Sequence, residues 1–318
     1  MKTMLITGGA GFIGSRFTSY IASTYPDDFK LIVLDALTYA GRKENIDGLP
    51  AEFIHADIRN YEEIEDAAAR SDIIVNFAAE TFVDKAIADP GAFVTTDVIG
   101  VYNLLEAVRK HGAERFIQIS TDEVYGEVME GEAAEDAPIK PRNPYSASKA
   151  GGELLARSYH ITYGLPVIIT RCSNNYGPYQ HPEKLIPKII TNAIRGKEIP
   201  IYGDGSQIRD WIYVYDHCRA LDAVLFKGDV GEVYNISAGC LLSNIELTKT
   251  ILRIMDKPER LIKYVDDRPG HDRRYAIDSS KVRRLGWTPK HSFEEGMRET
   301  INWYLENQDW WQSIKNAE

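Results

Sequence analysis

A short apolar run, Met4-Leu5-Ile6, passes directly into Thr7-Gly8-Gly9-Ala10-Gly11-Phe12-Ile13-Gly14, after which the chain takes on helical spacing. Glycines at 8, 11 and 14, set between a strand and a helix, leave few folds open. The first permits a tight turn, the second lets a pyrophosphate approach the backbone, and the third allows close helix–sheet contact. The exposed N–H groups and dipole at the start of the helix, where Phe12 and Ile13 lie, stabilise bound phosphates.

The order of elements agrees with that turn. Leu31-Ile32-Val33-Leu34, Glu52-Phe53-Ile54-His55 and Ile73-Ile74-Val75-Asn76-Phe77 are short apolar runs, and between them lie helix-period segments such as Tyr61–Arg70 and Val98–Lys110. Alternation of this kind predicts an α/β protein with a doubly wound parallel Rossmann sheet, with ligands at the carboxyl ends of its strands. The runs around Ile117 and at Pro166–Thr170 extend the sheet.

Beyond Arg171 proline and glycine become denser (Gly177, Pro178, Pro182, Pro187, Pro200, Gly203, Gly205), which predicts a loop-rich region with few regular elements; a smaller, mixed α/β substrate-binding domain is expected there. Helices are expected over Leu185–Arg195, Ser243–Met255 and Phe293–Leu305, and strands over Asp210–Tyr215 and Glu232–Ile236. The tail with Trp310 and Trp311 is ambiguous. The expected division is an NAD-binding domain over 1–174, borrowing parts of 210–240, and a substrate-binding region over 175–318.

A formal net charge of −10 argues against affinity for nucleic acid or an anionic membrane. Any anionic ligand must be held by local Arg, Lys or helix N-termini. Cys172, Cys218 and Cys240 show no paired spacing, so neither a disulfide framework nor a metal site is expected, and a reducing compartment fits. The first strand begins near Thr3, leaving no room for a signal peptide, and no apolar run approaches the roughly 18 residues of a membrane span. A cytoplasmic protein is expected.

Asp35 ends the second strand about 20 residues beyond Gly14, where an acid binds the hydroxyls of an adenosine ribose. An acid there disfavours a 2′-phosphate, so the expected cofactor is NAD rather than NADP. Asp57-Ile58, ending the third strand, is placed to meet the adenine.

The chemistry is written later in the chain. Arg115–Ser120 reads as a strand and ends in Thr121-Asp122-Glu123; Tyr145 and Lys149 follow, four apart and so on one helix face. A phenol with pKa ~10 is a poor base, and an ammonium beside it together with a cationic nicotinamide lowers that value. Tyr145 then takes a hydroxyl proton while hydride leaves the carbon. A dehydrogenase needs no more than this. Two adjacent carboxyls at a strand end tend to titrate apart, one protonated and one ionised, which suits elimination of water next to a newly formed ketone.

Taken together, the Gly8–Gly14 turn, Asn76-Phe77-Ala78-Ala79-Glu80, the Thr121 segment and Tyr145/Lys149 resemble the extended short-chain dehydrogenase/reductase family, and within it the sugar-nucleotide 4,6-dehydratases. Ser120–Gly126, Cys172-Ser173-Asn174-Asn175-Tyr176-Gly177-Pro178, Pro182–Pro187, Arg209-Asp210-Trp211 and Asp267–Asp272 carry the more specific part of the likeness, which spans nearly the whole chain.

The resemblance implies a tightly held NAD, reduced and reoxidised in each cycle, and a nucleoside-diphosphate sugar substrate, dTDP-glucose, whose product is a 4-keto-6-deoxy sugar nucleotide. Tyr145, helped by Thr121 and Lys149, would act at C4; Glu123 would take the C5 proton and Asp122 would protonate the departing C6 hydroxyl. Leu37, Thr38, Ala78, Ala79, Thr96 and Asn175 would join the glycine turn, Asp35, Asp57 and Ile58 around the cofactor. Glu80, Asn174, Lys184, Leu185, Pro200, Tyr202, Arg209, Asn244, Arg268 and His271 would contact the substrate. Arg209 and Arg268 make physical sense as clamps on a diphosphate. A homodimer is implied, paired through helices near 98–110 and 146–163.

Two positions depart from the family pattern. Thr81-Phe82 replace a Ser-His pair, and Asp97 stands where Asn is usual. Both bear on which sugar or nucleotide fits rather than on the reaction. The alternatives are a dehydratase acting on a UDP-sugar, a UDP-sugar 4-epimerase, which has no use for the acids at 122 and 123, and a non-catalytic NAD-sensing protein, which has no need of Tyr145 or Lys149.

Overall fold

The computed structural model describes residues 1–317. Strands β1 (Lys2–Thr7), β2 (Phe29–Asp35), β3 (Ala51–His55), β4 (Ile73–Asn76), β5 (Arg115–Thr121) and β6 (Val167–Cys172) come first, followed by β7 (Asn174–Tyr176), β8 (Ile199–Tyr202), β9 (Ile208–Tyr213), β10 (Val233–Ile236), β11 (Leu241–Ser243) and β12 (Ile262–Val265). Seven of them form one sheet in the order β10-β6-β5-β4-β1-β2-β3, with every neighbouring pair parallel.

A parallel sheet has no wet face, and side-chain alternation along β1 shows the consequence. Met4 and Ile6 point into a core shared with the helices Phe12–Thr24 and Val214–Lys227, while Leu5 points into a second core with the helices Tyr61–Ala69, Val101–His111 and Pro144–Tyr163. Burying these two faces is the main stabilising term, at about 25 cal/mol per Å² of apolar surface. The strand order reverses between β1 and β4, and a crevice opens at their carboxyl ends.

The catalytic-end helix Pro144–Tyr163 starts at a capping box, in which the Asn143 side chain accepts from the Ser146 N–H and the Ser146 hydroxyl faces the Asn143 backbone. Its middle is tied to the sheet by a buried pair, Arg171 of β6 with Glu153, whose Nε–Oε1 separation is 3.0 Å. Gly164, left-handed at φ 71°, ends it.

The region after 171 is more regular than its proline and glycine content suggests. It contains the three-stranded sheet β11-β9-β7, the pair β12-β8, and helices that include Leu185–Arg195, Asn244–Ile254 and Phe293–Glu306. The helix Val214–Lys227 was not expected, because its polar residues Asp216 and His217 are buried rather than solvent-facing. Asp216 binds the backbone N–H groups of Lys290 and His291 and so anchors a distant loop. The tail resolves into a helix, Gln308–Ala317, with Trp311 fully buried in a third core beside Ile189, Ile251 and Tyr304.

Candidate active site

At the carboxyl ends of β1, β2, β4, β5 and β6 lies one continuous cavity of about 450 Å³. Every residue expected at the cofactor or substrate lines it except Leu37. Leu37 instead has a left-handed backbone, φ 48°, with its N–H bonded to Asp35 Oδ1 at 2.8 Å, so it shapes the bend after β2.

The glycine turn is as tight as its spacing implied. A Cβ on Gly8 would stand 2.5 Å from the Ala78 nitrogen, and one on Gly14 only 2.4 Å from the Gly8 carbonyl oxygen. Gly11 caps the helix Phe12–Thr24 without any side-chain hydrogen bond, leaving the helix N-terminus to the cavity. Asp35, at the tip of β2, accepts from the Ala10 N–H at 2.9 Å and is pushed up by burial, against those backbone donors. Asp57 is held by the backbone and guanidinium of Arg59. This donor set, a glycine cradle, a buried acid at the second strand and an open helix N-terminus, fits an NAD.

Beside the cradle stand the groups expected to carry the chemistry. Thr121 ends β5 opposite Cys172 of β6, and its hydroxyl lies 3.2 Å from Asp122 Oδ1. Asp122 is 2% exposed, and its Oδ2 has no hydrogen-bond partner among the described residues. Burial first, then Glu123 and Asp210, push its carboxyl well above the usual range, although Arg209 opposes them. These surroundings favour the protonated form of Asp122. Glu123, half-buried, accepts from Asn143 Nδ2 and from the Tyr275 hydroxyl, each at 3.3 Å.

The Lys149 ammonium donates to the Ile119 carbonyl at 2.8 Å. The protein groups around Tyr145 act against ionisation of its phenol. Burial, then the negative charges of Glu123 and Asp97, push it well above its ordinary value, and the hydrogen bond from Thr121 only partly offsets this. Burial contributes most to that rise, and Glu123 and Asp97 add to it.

The substrate end is built on β9, β8 and the loop after β12. The buried Arg209 donates to the Ile208 and Asp272 carbonyls at 2.8 and 2.9 Å and packs its guanidinium 4.1 Å from the Tyr275 ring centre. Arg268 meets Asp84 at 3.2 Å, and the Tyr202 hydroxyl reaches the same carboxylate at 3.4 Å. Lys184 donates to the Thr81 carbonyl at 2.7 Å, with its ammonium 5.2 Å from the Phe82 ring; burial lowers its pKa. Phe82 and Thr81 thus form a wall of the cavity.

Tyr39, Asp84, Gln180 and His181 also line the cavity and carried no motif that marked them. Trp211 and Glu183 sat inside motifs already singled out, and that adjacency was the available signal.

A family model described as GDP-mannose 4,6 dehydratase matches residues 5–300. The low-salt glycan biosynthesis protein Agl12 of Haloferax volcanii is 52% identical over 306 residues, covering 95% of this chain and 98% of that protein. A dTDP-glucose 4,6-dehydratase of Streptomyces niveus is 46% identical over 323 residues, covering 99% of this chain and 96% of the relative. Among solved structures, DesIV, a dTDP-glucose 4,6-dehydratase of Streptomyces venezuelae with NAD bound, superposes with a TM-score of 0.96 at 46% identity, covering 98% of this chain and 99% of DesIV.

Proposed function

This chain belongs to the GDP-mannose 4,6 dehydratase family, and from that membership and its site we infer that it acts as an NAD-dependent dTDP-glucose 4,6-dehydratase. It converts dTDP-glucose to dTDP-4-keto-6-deoxyglucose and water. The observation that carries this reading is the acid pair Asp122/Glu123 opening into the same cavity as Thr121, Tyr145 and Lys149. An epimerase leaves such a pair without a task.

NAD, when bound, accepts hydride from the sugar and gives it back within the same cycle. We assign the remaining work to side chains of this chain. Tyr145 removes the C4 hydroxyl proton while Thr121 polarises the same oxygen. Its raised pKa means that the base form must be drawn out by positive charge, from Lys149 and from the nicotinamide end of the cavity. The C4 ketone acidifies the C5 proton, which Glu123 takes. Asp122, whose raised carboxyl favours the protonated form, delivers its proton to the C6 hydroxyl as water leaves. Arg209 and Arg268 hold the diphosphate, which answers how an acidic protein of net charge −10 binds an anion.

We also assign residues 1–174, with parts of 210–240, to NAD binding and the rest to substrate binding; β10 and the helix Val214–Lys227 packing with the first half support that split. A homodimer is supported by apolar groups exposed on two adjacent helical surfaces: Val94, Ile99 and Tyr102 on one, and Leu154, Ile161 and Tyr163 on the other. A cytoplasmic location is supported by three free cysteines. No helix among the described residues is long and apolar enough to cross a membrane.

The test is a side-by-side turnover of dTDP-glucose, UDP-glucose and UDP-N-acetylglucosamine by the purified protein. A 4-keto-6-deoxy product from dTDP-glucose, in excess over the others, is expected. A 4-epimer in its place would overturn the assignment.

A further inference from the structure

Asp97 lies in the wide helical turn Thr95–Gly100 and is 2% exposed. Its Oδ1 accepts the Glu80 N–H at 3.1 Å, and its Oδ2 is 2.6 Å from the Ser148 hydroxyl oxygen. That hydroxyl is in turn 2.8 Å from the Tyr145 carbonyl. Ser148 sits between Tyr145 and Lys149 on the same helix, so Asp97 links the cofactor-side loop 78–80 to the first turn of the helix that carries the base. The link has no slack: a Cβ on Gly152 would stand 2.1 Å from the Asp97 carbonyl oxygen.

A hydroxyl has one hydrogen, and here it faces two acceptors. With Asp97 ionised, Ser148 serves either Asp97 or Tyr145, and one contact goes without a proton. With Asp97 protonated, its own O–H donates to Ser148, Ser148 donates to the Tyr145 carbonyl, and both contacts are made. The charged groups facing Asp97 are Tyr145 and Lys149 from the helix and Glu80 from the loop after β4.

We propose that Asp97 is a positioning residue with two working forms: protonated, it completes the chain from Glu80 through Ser148 to the Tyr145 backbone; ionised, it breaks that chain and opposes formation of the Tyr145 phenolate. Burial pushes the Asp97 carboxyl up to about 6, against Lys149, Ser148 and the Glu80 N–H, so both forms exist near neutral pH. The proposal rests on the dehydratase reading for its kinetic consequence but not for the titration itself.

Asp97→Asn is shaped like the protonated form and cannot ionise. Oxidation of dTDP-glucose is followed by rapid mixing as reduced cofactor appears, for both proteins across pH. The ratio of variant to native rate is expected to grow about tenfold between about pH 5 and pH 8, the change in phenolate fraction for a one-unit shift. A ratio that stays constant over that range overturns the proposal. The second readout is melting of the cofactor-free proteins. A carboxyl raised by folding stabilises below its unfolded value of about 3.9 and loses that contribution as pH rises through its folded value. The melting temperature of Asp97→Asn should therefore gain on the native one between about pH 4 and pH 6, and a constant difference counts against the proposal. Ser148→Ala, which cuts the chain and keeps the charge, should slow oxidation more at the acidic end than at the basic end; equal slowing refutes the chain. Absence of cofactor reduction by dTDP-glucose in the native enzyme would refute the function instead, with the melting comparison still deciding on Asp97.

Discussion

Replacing Asp122 with Asn separates catalysis from stability more cleanly than any other change at this site. The amide has the shape of a protonated carboxyl and no proton to give. General acid catalysis contributes about 10²–10⁴-fold, which at 1.36 kcal/mol per tenfold is about 3–5 kcal/mol on the barrier to elimination. The oxidation that precedes it is the step we assign to Tyr145, Thr121 and Lys149, so it should stay within about threefold of native. Reduced cofactor should then accumulate on mixing with dTDP-glucose, visible in its absorbance, while product release falls by about 10²-fold or more. Stability should move the other way. Burial, Glu123 and Asp210 raise the Asp122 carboxyl. Its stabilising contribution is present below the unfolded value of about 3.9 and is lost as pH rises through the raised folded value. At about pH 8 the variant should melt no lower than the native protein, and its advantage should shrink as pH falls towards about 4. Turnover within about tenfold of native would refute the acid role. A melting temperature several degrees lower at pH 8 would instead mark Asp122 as a structural residue.

Three further changes test the scaffold. Gly14→Ala puts a Cβ 2.4 Å from the Gly8 carbonyl oxygen and 2.9 Å from the Gly9 Cα, so the turn must open; NAD affinity by calorimetry should fall about tenfold or more in a protein that still folds, and unchanged affinity would refute the cradle. Arg209→Lys keeps the charge but loses the planar stack on Tyr275 and the fork to two carbonyls; KM for dTDP-glucose should rise about tenfold with kcat largely retained, whereas a selective loss of kcat would place Arg209 at the reacting carbons. Glu153→Gln leaves the Arg171 guanidinium, 2% exposed, without its counter-charge; denaturant unfolding should show a loss of about 3–5 kcal/mol, and a loss below about 1 would mean that Tyr125 and the Glu135 carbonyl suffice.

The Rossmann half was legible because its signals are local. The unbroken apolar run in β1, the glycine spacing and the strand-end Asp35 each report within a few residues on what they do. The second half was less so. The helix Val214–Lys227 buries Asp216 and His217, and nothing nearby in sequence says that Asp216 will be satisfied by Lys290 and His291. The site divides in the same way. Motif residues were found, but Asp84 was not, since its partner Arg268 is 184 positions away. The groups acting on the Tyr145 phenol divide likewise. Lys149 is visible one helical turn along, whereas Asp97 comes from another element and Glu123 from another strand end, and both raise the phenol.

Such surroundings bear on how one short segment can divide its labour. Thr121, which we assign to polarising the substrate oxygen, also accepts the Glu123 N–H at 3.3 Å through its side chain and so opens the turn on which both acids sit. The turn sends Asp122 inward, where burial raises its carboxyl, and leaves Glu123 half-buried. Glu123 is then fixed by Asn143, the residue whose side chain also caps the helix bearing Tyr145. One amide therefore sets both the start of the base's helix and the place of the second carboxylate. Adjacent acids acquire separate roles here because they face different surroundings, and those surroundings are held in register with Tyr145 by a single cap.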